Sequence, residues 1–126
     1  MKGLDDVLKN LNNYRKNYDD SKFWKKIESI VAKAGSKVIY NALLLFYTLK
    51  SPNISFQNKA SICGALGYLI LPIDLIPDVL IMLGYTDDVT VLIYVVNLIQ
   101  SEITSEIENE AKEKLSDLGL HYEVTT

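Results

Sequence analysis

The chain has few of the residues from which small proteins build covalent cross-links. Its 126 residues include a single cysteine, Cys63, and a single histidine, His121. One cysteine excludes an internal disulfide, and its apolar neighbours indicate a small buried side chain in a reducing compartment. His121 lies in the C-terminal tail, where we expect it to be exposed to solvent. The fold must therefore depend on a packed core, for which this length is sufficient.

Long apolar runs are also absent. The longest uncharged segments, residues 60–73 and 89–101, have fourteen and thirteen residues, whereas a helix that spans a bilayer needs about 20. This length favours helices buried in a protein core; the alternative is a re-entrant hairpin with Asp74 and Asp78 at its tip. The N-terminal segment carries a charge every few residues and lacks the apolar stretch of a signal peptide. We expect an intracellular protein, cytoplasmic or associated with the membrane, and not a secreted one.

Basic residues are scarce in the second part of the chain. Residues 1–37 carry nine lysines or arginines against five acids, a balance of +4, and residues 38–126 carry four against eleven, a balance of −7. The basic residues are mixed with acids, which is typical of a solvated surface; the alternative is attraction to a membrane. With a pI near 5.1 and no concentrated basic stripe, the chain is not expected to bind nucleic acid.

Helical periodicity is the main signal that the sequence does contain. Hydrophobic residues make up 48% of the chain and charged residues 23%, as in globular domains. Apolar residues recur at three- and four-residue steps over residues 3–18, and again after Asp19-Asp20-Ser21, which offers N-cap oxygens, as far as Gly35. Both segments are predicted to be amphipathic helices. Residues 36–50 are apolar on nearly every side, which predicts a central helix or one that faces lipid.

The remaining segments are also predicted to be helices and turns. Ser55 is expected to cap a helix that runs to about Leu71. After a turn-rich segment with one brief helix at 79–83, residues 89–99 are rich in β-branched side chains, but we predict a helix because the chain offers no second strand. A last amphipathic helix should end at Gly119.

These elements predict an all-α fold, a compact single-domain helical bundle of about five to six helices with an Asp- and Pro-rich turn between core helices. The predicted divisions of the domain 1–126 are amphipathic N-terminal helices at 1–35, a core at 36–99 and a C-terminal amphipathic helix at 100–120. We expect the apolar helices 38–50, 56–71 and 89–99 to form the core, with the amphipathic helices covering it.

Four aspartates lie in the apolar segment between Lys59 and Lys112, where the sequence has no basic residue: Asp74, Asp78, Asp87 and Asp88. At helical spacing the first two would lie about 6 Å apart and repel each other by roughly 3 kcal/mol at an effective dielectric constant near 20. One interpretation is helix capping, because Asp78 precedes VLIML, Asp87 or Asp88 precedes VTVLIYVV, and Asp74 can form an Asx turn between two prolines.

The alternative interpretation is a cation site. Carboxylates that converge without a nearby histidine or thiolate suit Mg²⁺ or Ca²⁺, so all four aspartates are candidate ligands, although their spacing does not match the usual calcium loop. A pair of carboxylates could also act as acid and base, but the chain offers no nucleophile–base set and no phosphate-binding glycine loop. The sequence therefore favours a protein with no catalytic residues and no cofactor, with Mg²⁺ or Ca²⁺ as the alternative.

The same segment resembles the signature of the YkvA-like family, a bacterial domain of unknown function. The residues that carry the resemblance are Tyr68, Pro72, Ile73, Asp74, Leu75, Ile76, Pro77, Asp78, Leu83, Gly84, Tyr85, Asp87 and Asp88. With the preceding helix the resemblance covers roughly residues 38–99. It implies a small helical domain, often regarded as membrane-associated, with no assigned activity or catalytic residues. The chain departs from the family at Leu71, where a small polar residue is common, and at Ile81, where many members have another proline.

These observations favour a non-enzymatic helical interaction module or membrane-associated module that presents an acidic aspartate cluster. Its expected partner is another protein or a membrane surface, and a second copy of the chain is a further candidate. The alternative hypothesis is a protein that binds a divalent cation through the aspartate cluster, and this class includes metal-dependent enzymes.

Overall fold

The structure of the protein is a computed structural model that describes residues 15–31, 36–70 and 91–120. The α-helices in these residues are α1 (Asp20–Ile30), α2 (Ser36–Leu49), α3 (Phe56–Ile70), α4, described over 91–98, and α5 (Ser105–Asp117). Two 3₁₀ turns lie at Arg15–Asn17 and Gln100–Glu102. The described residues contain no strand, and the predicted all-α helical bundle is confirmed.

Helix α1 begins where the sequence provides a capping side chain. The Asp19 carboxylate accepts hydrogen bonds from the backbone N–H groups of Ser21, at 2.8 Å, and Lys22, at 3.2 Å. These bonds satisfy two of the N–H groups that have no partner within the helix, and they confirm the predicted cap. The buried residues of α1 follow at steps of four and three: Phe23, Ile27 and Ile30. Helix α1 is therefore amphipathic and covers the core with this face.

Helix α2 lies at the centre of the bundle. Eleven of its fourteen residues are buried, so it has almost no solvent face, as its apolar sequence predicts. Two of the buried residues are polar, and each donates a hydrogen bond to the carbonyl four residues earlier: Asn41 to Lys37 at 2.8 Å and Thr48 to Leu44 at 2.7 Å. Every buried side-chain nitrogen or oxygen in the described residues has a partner. The buried polar side chains of the described core therefore all have hydrogen-bond partners within the protein.

Helices α3 and α4 supply most of the remaining core. The Ser55 hydroxyl accepts a hydrogen bond from the Asn58 N–H at 3.2 Å, which confirms the predicted cap of α3. Core residues of the two helices are Ile62, Ala65, Leu66, Leu69, Val91, Leu92, Val95 and Val96. The helical state of 91–98 confirms the prediction for this β-branched segment. Burial of its valines contributes about 1.5–3 kcal/mol each, more than the ~0.7 kcal/mol that an unfavourable helix propensity costs per residue.

Helix α5 packs along α2. The Thr104 hydroxyl accepts from the Ile107 N–H at 3.2 Å and caps the helix. Ile107, Ala111 and Leu115 recur every four residues and are buried. The helix ends just before Gly119, whose φ of 83° lies in the left-handed region that glycine adopts without steric strain. The predicted stop at this glycine is thus confirmed.

A cluster of aromatic rings joins α1 to α2. Phe23 stacks on Phe46 with ring centroids 4.7 Å apart, and Trp24 meets Phe46 edge to face at 4.9 Å. Two lysines cover the cluster: Lys50 lies 5.4 Å from the centroid of Phe46, and Lys114 of α5 lies 5.0 Å from that of Trp24. Ring contacts of this kind add to the burial of apolar area, so they fix α1 against both α2 and α5.

The described residues correct one part of the helix prediction. The last residues of the helix predicted at 3–18 form the 3₁₀ turn Arg15–Asn17, and Tyr18 and Asp19 are not helical. The reason is the cap of α1, because Asp19 has an extended backbone, with φ −158° and ψ 138°, that no helix can continue through. The rest of that predicted helix and the brief helix at 79–83 lie outside the described residues, as does His121. The single-domain boundaries stay a prediction.

Candidate functional site

The aspartates predicted to form the site fall in residues 71–90, outside the described part of the chain: Asp74, Asp78, Asp87 and Asp88. The described flanks of this segment are core residues, since Leu69 near the end of α3 and Val91 in α4 are both buried. Within the described ranges, no three histidines, cysteines, aspartates or glutamates are grouped so that they could hold a metal ion. The choice between helix caps and a cation site therefore stays a prediction.

The described surface has a different unusual feature, which is three large apolar side chains in contact with solvent. Phe56 is 81% exposed, Leu98 52% and Tyr94 48%. Phe56 is the first residue of α3, and the other two lie four residues apart on α4, which places them on one face of that helix. We call these three residues the apolar surface. Single exposed apolar residues are common, but a group of exposed apolar residues that lie close together is typical of a binding surface.

Hydrogen bonds place Phe56 and Leu98 at the same end of the bundle. The Glu102 carboxylate accepts one bond from the backbone N–H of Ser55, at 3.1 Å, and another from the side-chain amide of Asn58. Ser55 immediately precedes Phe56, and Glu102 follows Leu98 by four residues. The start of α3 and the end of α4 are therefore held next to each other.

Basic side chains surround a half-buried thiol on the same helix as Phe56. Burial raises the pKa of Cys63, and the positive charges of Lys59, Arg15 and Lys50 lower it in part. The three cations come from different parts of the chain, namely α3, the 3₁₀ turn that packs on α3, and the end of α2. The net effect raises the pKa of the Cys63 thiol, which is opposite to the shift found in activated thiol nucleophiles. Cys63 is half-buried rather than fully buried as predicted.

A carboxylate next to this basic group holds the ends of α1 and α2 together. Asp20 accepts a hydrogen bond from the Tyr18 hydroxyl and forms an ion pair with the Lys50 ammonium at 2.5 Å. The hydrogen bonds from Lys50 and Tyr18 lower the pKa of Asp20. Burial, the hydrogen bond to Asp20 and that residue's negative charge raise the pKa of Tyr18 above its usual range. The two oxygens of one carboxylate thus accept from two donors, and these bonds tie Tyr18 and the end of α2 to the first turn of α1.

Helix α5 carries charge of the opposite sign. Its exposed acids follow at steps of four, three and four: Glu106, Glu110, Glu113 and Asp117. Burial raises the pKa of Tyr47 on α2, and the charges of Glu110, Asp117 and Glu113 raise it further. One face of the bundle is therefore acidic, while the surroundings of Cys63 are basic.

The apolar surface was not among the residues predicted for the site. Phe56 directly follows Ser55, the cap of α3. A residue at the very start of a helix is often exposed, but this position alone is weak evidence for exposure. Tyr94 and Leu98 lie four residues apart on a helix whose buried face is formed by Val91, Leu92, Val95 and Val96. In a nearly continuous apolar run, periodicity does not show which apolar residues are left on the exposed face. The meeting of Arg15, Lys50 and Lys59 could not be inferred, because they are far apart in the chain.

Comparisons with known proteins match the central part of the chain. Residues 58–94 match the model of a family described as a protein of unknown function (DUF1232). Over 53 residues the chain is 40% identical to the "Uncharacterized membrane protein YkvA" of Bacillus subtilis (strain 168). These residues make up 42% of this chain and 50% of that protein. The matched part thus spans half the length of that relative. No solved structure matches the chain.

Proposed function

We propose that this chain, whose resemblance to the YkvA-like family is confirmed over residues 58–94, is a non-enzymatic helical module that binds to the surface of a membrane. The observation that carries the proposal is the apolar surface at the end of an otherwise closed bundle. Phe56, Leu98 and Tyr94 are the large apolar side chains that remain in solvent in the described residues. A membrane interface would remove them from water.

The size of the apolar surface suits reversible binding. Full burial of a phenylalanine or leucine side chain contributes about 1.5–3 kcal/mol, so two such side chains contribute several kcal/mol before any charge is counted. Tyrosine adds an apolar ring with a polar tip, a combination that is enriched at membrane–water interfaces. Interfacial binding requires no spanning segment. None of the helices in the described ranges is both long and apolar enough to cross a bilayer.

The similar protein from Bacillus subtilis supports the proposal, since its name describes it as a membrane protein. The segment that matches the family model, residues 58–94, includes Tyr94 of the apolar surface, while Phe56 and Leu98 lie just outside it. We therefore expect this chain, like that relative, to be located at a membrane.

The test is binding to vesicles that contain both zwitterionic and anionic phospholipids, measured by co-sedimentation. Replacement of Phe56 and Leu98 by serine should weaken binding at least about tenfold, because both side chains lose most of their transfer free energy. Phe56→Leu with Leu98→Met is the matched control, since it changes the same positions but keeps their apolar character. Circular dichroism should show the helices of both variants intact.

Two results would contradict the proposal. One is a wild-type protein that remains in the supernatant with every vesicle composition. The other is a serine variant that binds as tightly as the leucine–methionine control, because the apolar surface would then have no part in binding.

A further inference from the structure

The start of α3 combines one exposed aromatic side chain with a lysine. Phe56, Lys59 and Cys63 follow at steps of three and four, so they lie along one face of the helix. Phe56 and Lys59 are exposed and Cys63 is half-buried. The apolar and the basic side chain are therefore neighbours on the surface, one helical turn apart.

Two more cations reach this face from other elements. The 3₁₀ turn Arg15–Asn17 packs along α3, and Lys50 lies just after the end of α2, before the loop that leads to Phe56. Arg15, Lys50 and Lys59 are all near enough to Cys63 for their charges to stabilise its thiolate form. We call Arg15, Lys50, Lys59 and Phe56 the basic–apolar surface.

Two cations of this surface have no carboxylate partner among the described residues. Asp20 pairs with Lys50, and Glu102 accepts its bonds from Ser55 and Asn58. Among the described residues, neither Arg15 nor Lys59 forms an ion pair with a carboxylate. Both side chains are exposed, so an anion from outside the protein can reach them.

The charge elsewhere on the molecule favours one orientation. The acids of α5 lie on a helix that packs on α2, whereas the cations surround α3. An anionic surface would attract the basic–apolar surface and repel the exposed acidic stripe of α5. Because the chain as a whole carries a net charge of −3, an anionic surface attracts it only where the basic–apolar surface faces that anion.

We propose that the basic–apolar surface docks on anionic phospholipids, with Phe56 entering the boundary between headgroups and acyl chains and with Arg15 and Lys59 pairing with lipid phosphates. This inference rests on the proposed function and adds the class of lipid and the orientation of the bundle. Arginine suits such a contact because its planar guanidinium forms two parallel hydrogen bonds to phosphate. Lysine and arginine near an anionic leaflet each contribute to binding in a way that salt weakens.

The experiment compares vesicles of phosphatidylcholine alone with vesicles of phosphatidylcholine and phosphatidylglycerol, at low and high salt. The test variant is Arg15→Gln with Lys59→Gln. The control is Lys37→Gln with Lys112→Gln, which removes the same net charge from exposed positions on the first turn of α2 and on α5. We expect the wild type to prefer the anionic vesicles and the test variant to bind them about fivefold more weakly for each charge removed. The control should remain close to the wild type, and high salt should abolish the difference.

The outcomes separate this inference from the proposed function. The wild type could bind both kinds of vesicle equally, with binding still reduced by the serine substitutions at Phe56 and Leu98. That result would support the proposed function but overturn the preference for anionic lipid. Equal weakening of the test and control variants overturns the assigned residues, because only total charge would then matter. A wild type that binds neither vesicle overturns both.

Discussion

At the scale of single residues, one carboxylate connects three parts of the fold. Asp20 lies in the first turn of α1, accepts from the hydroxyl of Tyr18 and pairs with Lys50 at the end of α2. An acid in this position also interacts favourably with the positive end of the helix dipole. The side chains of Lys50 and Asp20 are 48% and 50% exposed, so water screens the pair and its net contribution is below about 1 kcal/mol.

The lowered pKa of Asp20 predicts a pH-dependent contribution to stability. The folded chain binds the proton less readily than the unfolded chain, in which an aspartate titrates near about 3.9. The contribution is therefore present above that unfolded value and is lost as the pH falls through the lower folded value. We expect Asp20→Asn to reduce the free energy of unfolding by less than about 1 kcal/mol at neutral pH and by nothing at strongly acidic pH. Urea unfolding at the two pH values measures this difference.

A double-mutant cycle provides the control for that prediction. In a Lys50→Gln background the neutral-pH effect of Asp20→Asn should become smaller, because the ion pair is already lost. An effect that is the same at both pH values and in both backgrounds would show that the carboxylate stabilises the fold without its charge.

At the scale of the secondary-structure elements, side-chain packing decides more than local preference. Residues 91–98 are rich in β-branched side chains, yet they form a helix because Val91, Leu92 and Val95 face the core. Helix α1 is held differently, by Phe23 and Trp24 against Phe46 of α2. Both cases show that a buried face stabilises a helix more than its intrinsic propensity does.

Truncation of the aromatic cluster should therefore detach α1 from the core. Phe23 is fully buried, and we expect Phe23→Ala to lower the free energy of unfolding by about 3–5 kcal/mol through lost burial and the cavity that remains. Phe56→Ala is the matched control, because it removes the same atoms from an exposed position and should change stability by no more than about 0.5 kcal/mol. Denaturant unfolding followed by circular dichroism measures both. Similar losses for the two variants would contradict the assigned burial of these rings.

At the scale of the whole molecule, the fold separates charge as well as apolar surface. Helix α5, which packs on α2, carries the exposed acids Glu106, Glu110, Glu113 and Asp117. The cations of the 3₁₀ turn, of the end of α2 and of α3 lie near Cys63. Two of these cations, Lys50 and Lys59, come from the segment whose balance is −7, so the separation of charge between surfaces arises from the fold and not from the two parts of the sequence. A bundle with this distribution should approach an anionic surface in one orientation.

The midpoint of thermal unfolding of the whole protein tests the role of the predicted aspartate cluster. A cation bound at 100 times its dissociation constant would stabilise the fold by about 2.7 kcal/mol. If the cluster is a cation site, Mg²⁺ or Ca²⁺ should raise the midpoint of the wild type but not that of Asp78→Asn with Asp88→Asn. If the aspartates are helix caps, neither ion should shift the midpoint, and the variant should lose at most about 0.3–1 kcal/mol for each cap, because asparagine still caps the helix and only the interaction of the charge with the helix dipole is removed. Glu106→Gln with Glu113→Gln controls for the loss of two acids elsewhere.

Much of the fold could be predicted from the sequence because its signals are local. The caps at Asp19 and Ser55 and the stop at Gly119 each depend on a few neighbouring residues, and the structure confirms all three. The apolar character of α2 likewise predicts its central position. The error at residues 15–18 also has a local cause, since the periodicity over 3–18 gave no sign that the cap at Asp19 would end the helix before it.

The candidate surface, in contrast, was decided by the tertiary structure alone. Periodicity shows which residues share a face of one helix, but not whether another element covers that face, and this is why the exposure of Phe56 and Leu98 was missed. Arg15, Lys50 and Lys59 meet because the 3₁₀ turn and the end of α2 both lie beside α3. The sequence by itself thus determined the helices, their ends and the core, through interactions between near neighbours. The tertiary structure decided which side chains remain in water, because that depends on contacts between residues far apart in the chain.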